Sequence, residues 1–408
     1  MKETLRLLKE SESFEKKDGS RASFARSLFS ISLFHFVNDA AVVTLPLIYP
    51  VLYDQGFIIT RYSQIGTVYL AGLAVTIVSQ FLIGSFARER HYRKILPTAI
   101  LCIGLSLILI STTERFLTFL LVFLMFRVSA SFYHPVGIAW INTLARERGL
   151  DRSMGIQSAM GDLGVLVSFT IGGILAERGG WRFPVLLWAF VATIISIAGY
   201  ITSWRGRDAS EEKNSSPSMP SWREAFLSLK PLVPAFCLGG IAWFIIIGYA
   251  PSLLHHRISV SMAHTGYILA VWIGAGTVSS MLYGRIVAYI GHRPLLILSY
   301  AAVLFGSILL SITDDTRAAV GIMAVFGFFL FLTYPCLLSC VGKRVPDASS
   351  PGAFSIAANL QMMGGAVFSF IAGFLSDSFG IESPFQLLAA ATFAIILYLL
   401  YQGDRPFG

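Results

Sequence analysis

The sequence predicts an all-α membrane protein, with twelve transmembrane helices arranged as two pseudo-symmetric six-helix bundles. Three observations predict it. Hydrophobic residues make up 55% of the 408 and charged residues only 13%, against roughly 25% charge in a soluble chain. The apolar residues gather into twelve stretches, most of them near the roughly 20 residues that cross a bilayer. The punctuation also repeats. Gly84, Gly173, Gly284 and Gly373 each close an apolar run and open a polar hinge, 89 residues apart within each half (173 − 84 and 373 − 284). The offset of 200 between halves (284 − 84) also places Pro135 on Pro335, Pro184 on Pro384, Gly164 on Gly364 and Arg93 on Arg293. Backbone groups in lipid must be satisfied within the segment, so the stretches are helices. The alternating strands of an outer-membrane barrel are absent.

The elements follow in order. Residues 1–27 carry seven basic and five acidic residues and no apolar core, so they form a solvated or surface-lying cytoplasmic tail rather than a signal peptide. Helices one to six are 28–53, 62–86, 95–113, 116–142, 154–176 and 183–203, giving a first bundle over 28–203. Residues 204–231, rich in Ser, Pro and charge, are a cytoplasmic linker. Helices seven to twelve are 232–254, 263–287, 294–312, 317–341, 353–375 and 384–401, giving a second bundle over 232–401. Residues 402–408 are a cytoplasmic tail. The other loops are short, so neighbouring helices run antiparallel.

The net charge of +8 is topological rather than a sign of nucleic acid. With the N-terminus inside, every lysine lies on the cytoplasmic side. Only Arg61, Arg115, Arg178, Arg182, Arg257 and Arg317 lie outside, and Arg127 falls within a helix. This positive-inside bias places both termini in the cytoplasm and the chain in the cytoplasmic (inner or plasma) membrane. The partners expected are the bilayer, protons and a small-molecule substrate, with the protein a monomer. Cys102, Cys237, Cys336 and Cys340 all fall inside predicted helices and read as packing residues. No nucleotide-binding or hydrolase motif is present, so neither catalysis nor a cofactor is expected.

Two six-helix halves joined by a linker resemble the major facilitator superfamily. In that family the turn after helix two runs G-x-x-x-D-x-x-G-[RK]-[RK]. Here Gly84, Arg93 and Lys94 fit, while Arg88 takes the acid's place and His91 that of the second glycine. The turn after helix eight keeps Gly284, Gly291 and Arg293 but has Ala288 for the acid. The resemblance makes these the gating turns, with the acid-to-helix-dipole latch missing from both. Helix one (His35, Asn38, Asp39, Tyr49–Pro50), helix four (His134–Pro135) and the entry to helix two (Gln64-Ile65-Gly66) are similar to fosmidomycin-resistance-type exporters. Helix five resembles the family's antiporter motif at Gly155, Gly164, Gly172 and Gly173, with Ser168 and Phe169 replacing its Gly-Pro.

Five ionisable side chains lie inside predicted helices: His35, Asp39, Arg127, His134 and Asp162, all in the first half. A charge at bilayer depth costs roughly 2.5–3.5 kcal/mol on insertion scales, so such groups usually face a cavity and act there. Asp39 lies about 16 Å into helix one at about 1.5 Å per residue and shares a face with His35 one turn away. Burial disfavours a charged carboxylate, which qualifies a membrane aspartate as a proton carrier. Asn38 would orient it or touch substrate. Arg127 and His134, seven residues apart, share a face of helix four. Arg127 stays charged and needs a counter-charge: Asp39, Asp162 or an anionic substrate. Asp162 serves coupling, pairs with Arg127, or makes a polar contact between halves. The resulting expectation is proton coupling at Asp39, His35 and Asp162. Substrate binding falls to Arg127, His134 and Asn38 of the first half and to Trp243, Tyr334, Asn359 and Gln361 of the second, with Tyr249 and Trp272 as further aromatic contacts. No metal is expected; His255, His256 and His264, near the external ends of helices seven and eight, read as solvated.

The function expected is proton-coupled export of a small drug-like or anionic or zwitterionic compound by alternating access. An importer or uniporter on the same fold is the alternative, and a non-transporting membrane sensor a remote one.

Overall fold

A computed structural model describes residues 2–145, 149–204, 226–227, 229–344 and 350–403. Side chains are placed for 23–83, 86–88, 90–145, 149–150, 152–201, 226–227, 229–341 and 356–403. Most of the expected linker and the end of the C-terminal tail lie outside the described residues.

Twelve helices are long and apolar enough to span a membrane, from Ser23–Gln55 to Ser383–Gln402. They match the predicted stretches to within a few residues at most ends. The first helix is longer than expected, running without a break from Lys2 to Gln55, so the tail continues the first span.

Span four is the exception to regular helix. It consists of Phe116–Ala130 and Tyr133–Ala145, separated at Ser131 and Phe132. Pro135 causes the break: it has no N–H to donate to the carbonyl of Ser131, four residues back, and its ring crowds that carbonyl. Its two-fold mate Pro335 lies inside the unbroken helix Thr316–Arg344. There the Ser280 hydroxyl reaches the freed carbonyl of Phe331 at 3.5 Å. The same proline thus breaks one helix and is tolerated in the other.

Within lipid, helices associate through close packing rather than hydrophobic exclusion. A Cβ at Gly164 would land on the carbonyl of Phe36, and one at Gly364 on the backbone of Cys237, so spans one and five, and seven and eleven, meet backbone to backbone. The halves meet through spans one and seven, two and eleven, and five and eight. Their polar contacts lie toward the face opposite the termini: Asp54 with His255 and His256, Asp377 with the start of span two, Glu177 with the start of span eight. The deepest among the described residues is Thr277 with Asp162. Toward the terminus-bearing face, a Cβ added at Gly155 or Gly284 would have no neighbour within 4 Å. Among the described residues these polar contacts between halves lie toward one face or at mid-span.

Candidate functional site

The site forms where the break in span four meets spans one and five. The break presents Tyr133 and His134 at mid-membrane, and span one brings His35, Asn38 and Asp39 from successive turns of one helix. Span five contributes Gln157 and Gly161. A Cβ at Gly161 would lie 2.6–2.9 Å from the His35 ring, so the absence of a side chain there is what admits the imidazole.

The contacts indicate where the cluster favours a proton. His35 Nδ1 lies 2.7 Å from the backbone carbonyl of Gln157. A carbonyl only accepts, so Nδ1 carries the hydrogen. Its other nitrogen, Nε2, sits 3.0 Å from Asp39 Oδ2, close but without hydrogen-bond alignment. A neutral ring would turn a lone pair on the carboxylate and be repelled. The contact therefore favours one further proton, either on Nε2 or on Asp39. Asn38 donates to the other carboxylate oxygen at 2.9 Å, and His134 Nε2 approaches that oxygen at 4.0 Å. Tyr133 stacks on His35 with centroids 4.3 Å apart and donates its hydroxyl to Gln157 Oε1 at 2.9 Å. The His35 side chain is 8% exposed and His134 44%, so the inner ring is shielded and the outer one is accessible. The donor atoms of His35, Asp39 and His134 lie within 4.8 Å of one another, near enough to gather a cation. One Asp39 oxygen is taken up by Asn38 and His134 stands 4.0 Å from it, so a proton shared by His35 and Asp39 fits the arrangement better than a metal ion.

The other first-half residues separate. Arg127 is half-buried and donates from Nε to Thr76 Oγ1 at 3.0 Å. Among the described residues no carboxylate stands within ion-pair distance of it; Asp39 acts on its charge only from farther away. Asp162 instead stands 3.4 Å from Thr277 Oγ1, whose one hydrogen it shares with the Ile273 carbonyl at 2.9 Å, the polar contact between halves among its three expected roles.

In the second half, Trp243 packs with Trp272 and Phe331, centroids 5.1 and 5.5 Å away. Tyr334 is exposed and Asn359 half-buried. Gln361 lies at the crossing with span seven, where a Cβ at Gly240 would strike its carbonyl. Trp272 and Tyr249 are fully buried, and the Tyr249 hydroxyl donates to the Ser369 carbonyl at 2.5 Å, so these two hold the bundle together.

The two turns expected to gate, after spans two and eight, are separate from this cluster in the chain. Arg88 and Lys94 are exposed and Arg93 is half-buried; the side-chain surroundings of position 84 lie outside the described residues. Gly291 takes φ +81°, whereas His91 at the equivalent place stays in the right-handed region and ends a 3-10 turn, Glu89–His91. The acids expected in these turns reappear in the other two hinges. Glu177, four residues after Gly173, accepts from the Ala263 N–H at 2.7 Å. Asp377, four after Gly373, accepts from the Tyr62 and Ser63 N–H groups at 2.6 and 3.1 Å. Both pairs obey the offset of 200. Each acid meets the positive end of a helix dipole in the opposite half, and Gly173 and Gly373 let those helix starts approach. Sequence reasoning missed this, although the acids stand in the repeated hinge.

His255 and His256 are half-buried and in part solvated, as expected, and both also turn onto Asp54 at 3.2 and 3.0 Å, because a π-helical turn, Leu253–Arg257, replaces regular helix there. His264 meets Ser261.

The sequence model of the Major Facilitator Superfamily matches residues 28–369. An uncharacterized MFS-type transporter of Methanocaldococcus jannaschii is 23% identical over 307 residues, covering 73% of this chain and 77% of the relative. Among solved structures, a bacterial homolog to the human lysosomal transporter Spinster superposes with a TM-score of 0.75 at 13% identity, covering 94% of this chain and 96% of the other. The nucleoside transporter NupG superposes at 0.74 and 12% identity, covering 92% and 98%. At these identities the structures establish the fold alone.

Proposed function

Because the chain belongs to the Major Facilitator Superfamily, we propose that it is a secondary active transporter that couples proton movement to export of a small anionic or zwitterionic compound. The observation that carries this reading is the His35–Asp39 contact, which a proton beyond the one on Nδ1 would stabilise. A site at mid-membrane whose geometry favours one proton can exchange that proton with whichever face is open. His134, the accessible ring beside Asp39, is placed to relay it. Arg127, charged and without a carboxylate partner among the described residues, gives an anion its counter-charge. Trp243, Tyr334, Asn359 and, less directly, Gln361 would shape the pocket from the neutral second half. The halves would rock about this site, held at one face by the Glu177 and Asp377 contacts.

The likeness of helices one and four to fosmidomycin-resistance-type exporters favours export. An importer or uniporter is the second reading. Ser168, where the antiporter motif has glycine, donates to the Ala40 carbonyl at 2.8 Å and meets Thr44 at 2.8 Å, which ties span five to span one.

The test is flux in everted and right-side-out vesicles under an imposed pH gradient, across a panel of small anions and zwitterions. Accumulation of one panel member that follows the gradient supports coupling. Flux indifferent to the gradient would leave only a uniporter or another coupling ion. We place the termini in the cytoplasm from the lysine distribution. Cysteines at Ser215 and Asp314 should then label from opposite sides, and external labelling at Ser215 would reverse the assignment.

A further inference from the structure

At the face opposite the termini, Asp54 at the end of span one stands against two consecutive histidines of span seven. His255 Nε2 is 3.2 Å from Asp54 Oδ2 and His256 Nε2 is 3.0 Å from Oδ1. Consecutive residues of an α-helix diverge by about 100°, so two neighbouring rings do not ordinarily converge on one carboxylate. The π-helical turn Leu253–Arg257 carries both, and such turns recur at functional sites.

The far nitrogens of both rings are held. His255 Nδ1 donates to the Val260 carbonyl at 2.9 Å, since the carbonyl can only accept. His256 Nδ1 meets the Tyr62 hydroxyl at 2.9 Å. A hydrogen bond at Nδ1 that leaves Nε2 as the free ligand is how metal-binding histidines are oriented. In neutral His255 the Nε2 lone pair then confronts a carboxylate oxygen, and either a proton on Nε2 or a cation between them satisfies both. The three donor atoms lie within 4.8 Å of one another. Ligands about 2.0–2.2 Å from a tetrahedral zinc are separated by about 3.3 Å, near both observed contacts. The Asp54 side chain is 51% exposed, so the site opens to solvent and keeps a position for water.

We propose that Asp54, His255 and His256 form a binding site for a divalent transition-metal ion of the zinc class, and that the bound ion holds the two halves together at this face. Asp54 belongs to the first half and the histidines to the second, so the site exists only while this face is closed. Two imidazoles and one carboxylate select zinc, nickel or copper over magnesium or calcium.

The test uses the full-length chain without a polyhistidine tag, in detergent, titrated with Zn2+ by calorimetry. Wild type should bind one zinc per chain, in competition with Ni2+ and not with Mg2+. H255Q, H256Q and D54N should each weaken binding by about 100-fold, and Tyr62→Phe by about tenfold, as loss of an orienting partner does. A second measurement reads the gate by spin-label distances between cysteines at Phe57 and Tyr267, in a chain whose four native cysteines are replaced. Zinc should collapse the distribution onto its shortest component, and D54N should abolish that effect. No zinc uptake by wild type overturns the proposal, as do uptake that survives all three substitutions and a label distance that zinc leaves unmoved.

Discussion

Thr277 of span eight sets its hydroxyl 3.4 Å from Asp162 of span five while its one hydrogen also faces the nearer Ile273 carbonyl of its own helix at 2.9 Å, and this shared bond is the deepest polar contact between halves among the described residues. Any motion that opens the face opposite the termini must break it or carry it along. The long distance marks a weak bond, within the roughly 0.5–1.5 kcal/mol of an ordinary hydrogen bond. Thr277→Val keeps the shape and removes the donor. It should shift the thermal midpoint by only a degree or two and change the rate of exchange between states. An unchanged rate in single-molecule distance trajectories, with Asp162→Asn equally silent, would leave the contact a bystander.

The Glu177–Ala263 and Asp377–Ser63 pairs bear on the balance of states. In the repeated hinge, the two acids that would hold the terminus-bearing face are replaced by Arg88 and Ala288, while Glu177 and Asp377 remain and cap helix starts at the other face. Each such contact is worth roughly 0.3–1 kcal/mol. Glu177→Gln with Asp377→Asn should therefore shift the equilibrium roughly three- to thirtyfold toward closure of the terminus-bearing face. Alkylation of a cysteine at Gly155, which has open space around it, should slow accordingly. Arg88→Asp with Ala288→Asp should move it the same way. Faster alkylation in either double variant would contradict this assignment.

How much of this was legible beforehand differs by residue. The twelve spans were, because lipid leaves helices as the only solution for long apolar runs. His35, Asp39 and His134 were, because a titratable group at membrane depth is costly enough to stand out. Gln157 was not, since its backbone carbonyl does the work and carbonyls carry no sequence signal. Gly161 was not, because its role is the space beside the His35 ring. Asp54 and the two histidines lie at helix ends where charge is cheap, and the π-helical turn that aims them has no signature in the pattern.

Gly161 separates fold from site. Gly161→Ala would place a Cβ 2.6 Å from His35 Cε1, so the ring must turn away from Gln157 or Asp39. The helix should tolerate alanine, and stability should fall by roughly 1–3 kcal/mol of overpacking without loss of the fold. Proton-driven accumulation should fall at least tenfold. Gly164→Ala strikes the Phe36 backbone instead and should reduce folded yield. Normal coupling in well-expressed Gly161→Ala would show that the His35 position is not required.

Arg127 tests the anion reading. If it meets an anionic substrate, Arg127→Lys keeps the charge but loses the planar fork, and the KM should rise about tenfold with pH dependence unchanged. Arg127→Ala should abolish transport of anions and spare any neutral substrate. Transport of an anion at wild-type KM by Arg127→Ala would reduce the residue to packing against Gly72 and Thr76.

Asp39 carries the decisive case. Asn38, His35 and His134 all converge on its carboxylate, and an amide in its place retains the shape without the ionisable oxygen. Asp39→Asn should still bind substrate, because Arg127 and the second-half residues do not contact this carboxylate. It should lose accumulation against a gradient, since the site can no longer exchange a proton with the bulk. Downhill exchange of substrate for substrate needs no net proton movement and should persist. His35→Gln should weaken coupling in part, because it removes the ring that shares the proton and leaves the acid. Trp243→Phe should change affinity or selectivity and leave the response to pH as it was. The measurement is vesicle flux with inside and outside pH set independently. Wild-type accumulation following the pH gradient, together with an Asp39→Asn variant that equilibrates without accumulating, places coupling at this pair. An Asp39→Asn variant that still follows the gradient would remove Asp39 as the carrier. Asp162 would be the next carboxylate to test, since it is the remaining acid that the sequence places at membrane depth in the first half.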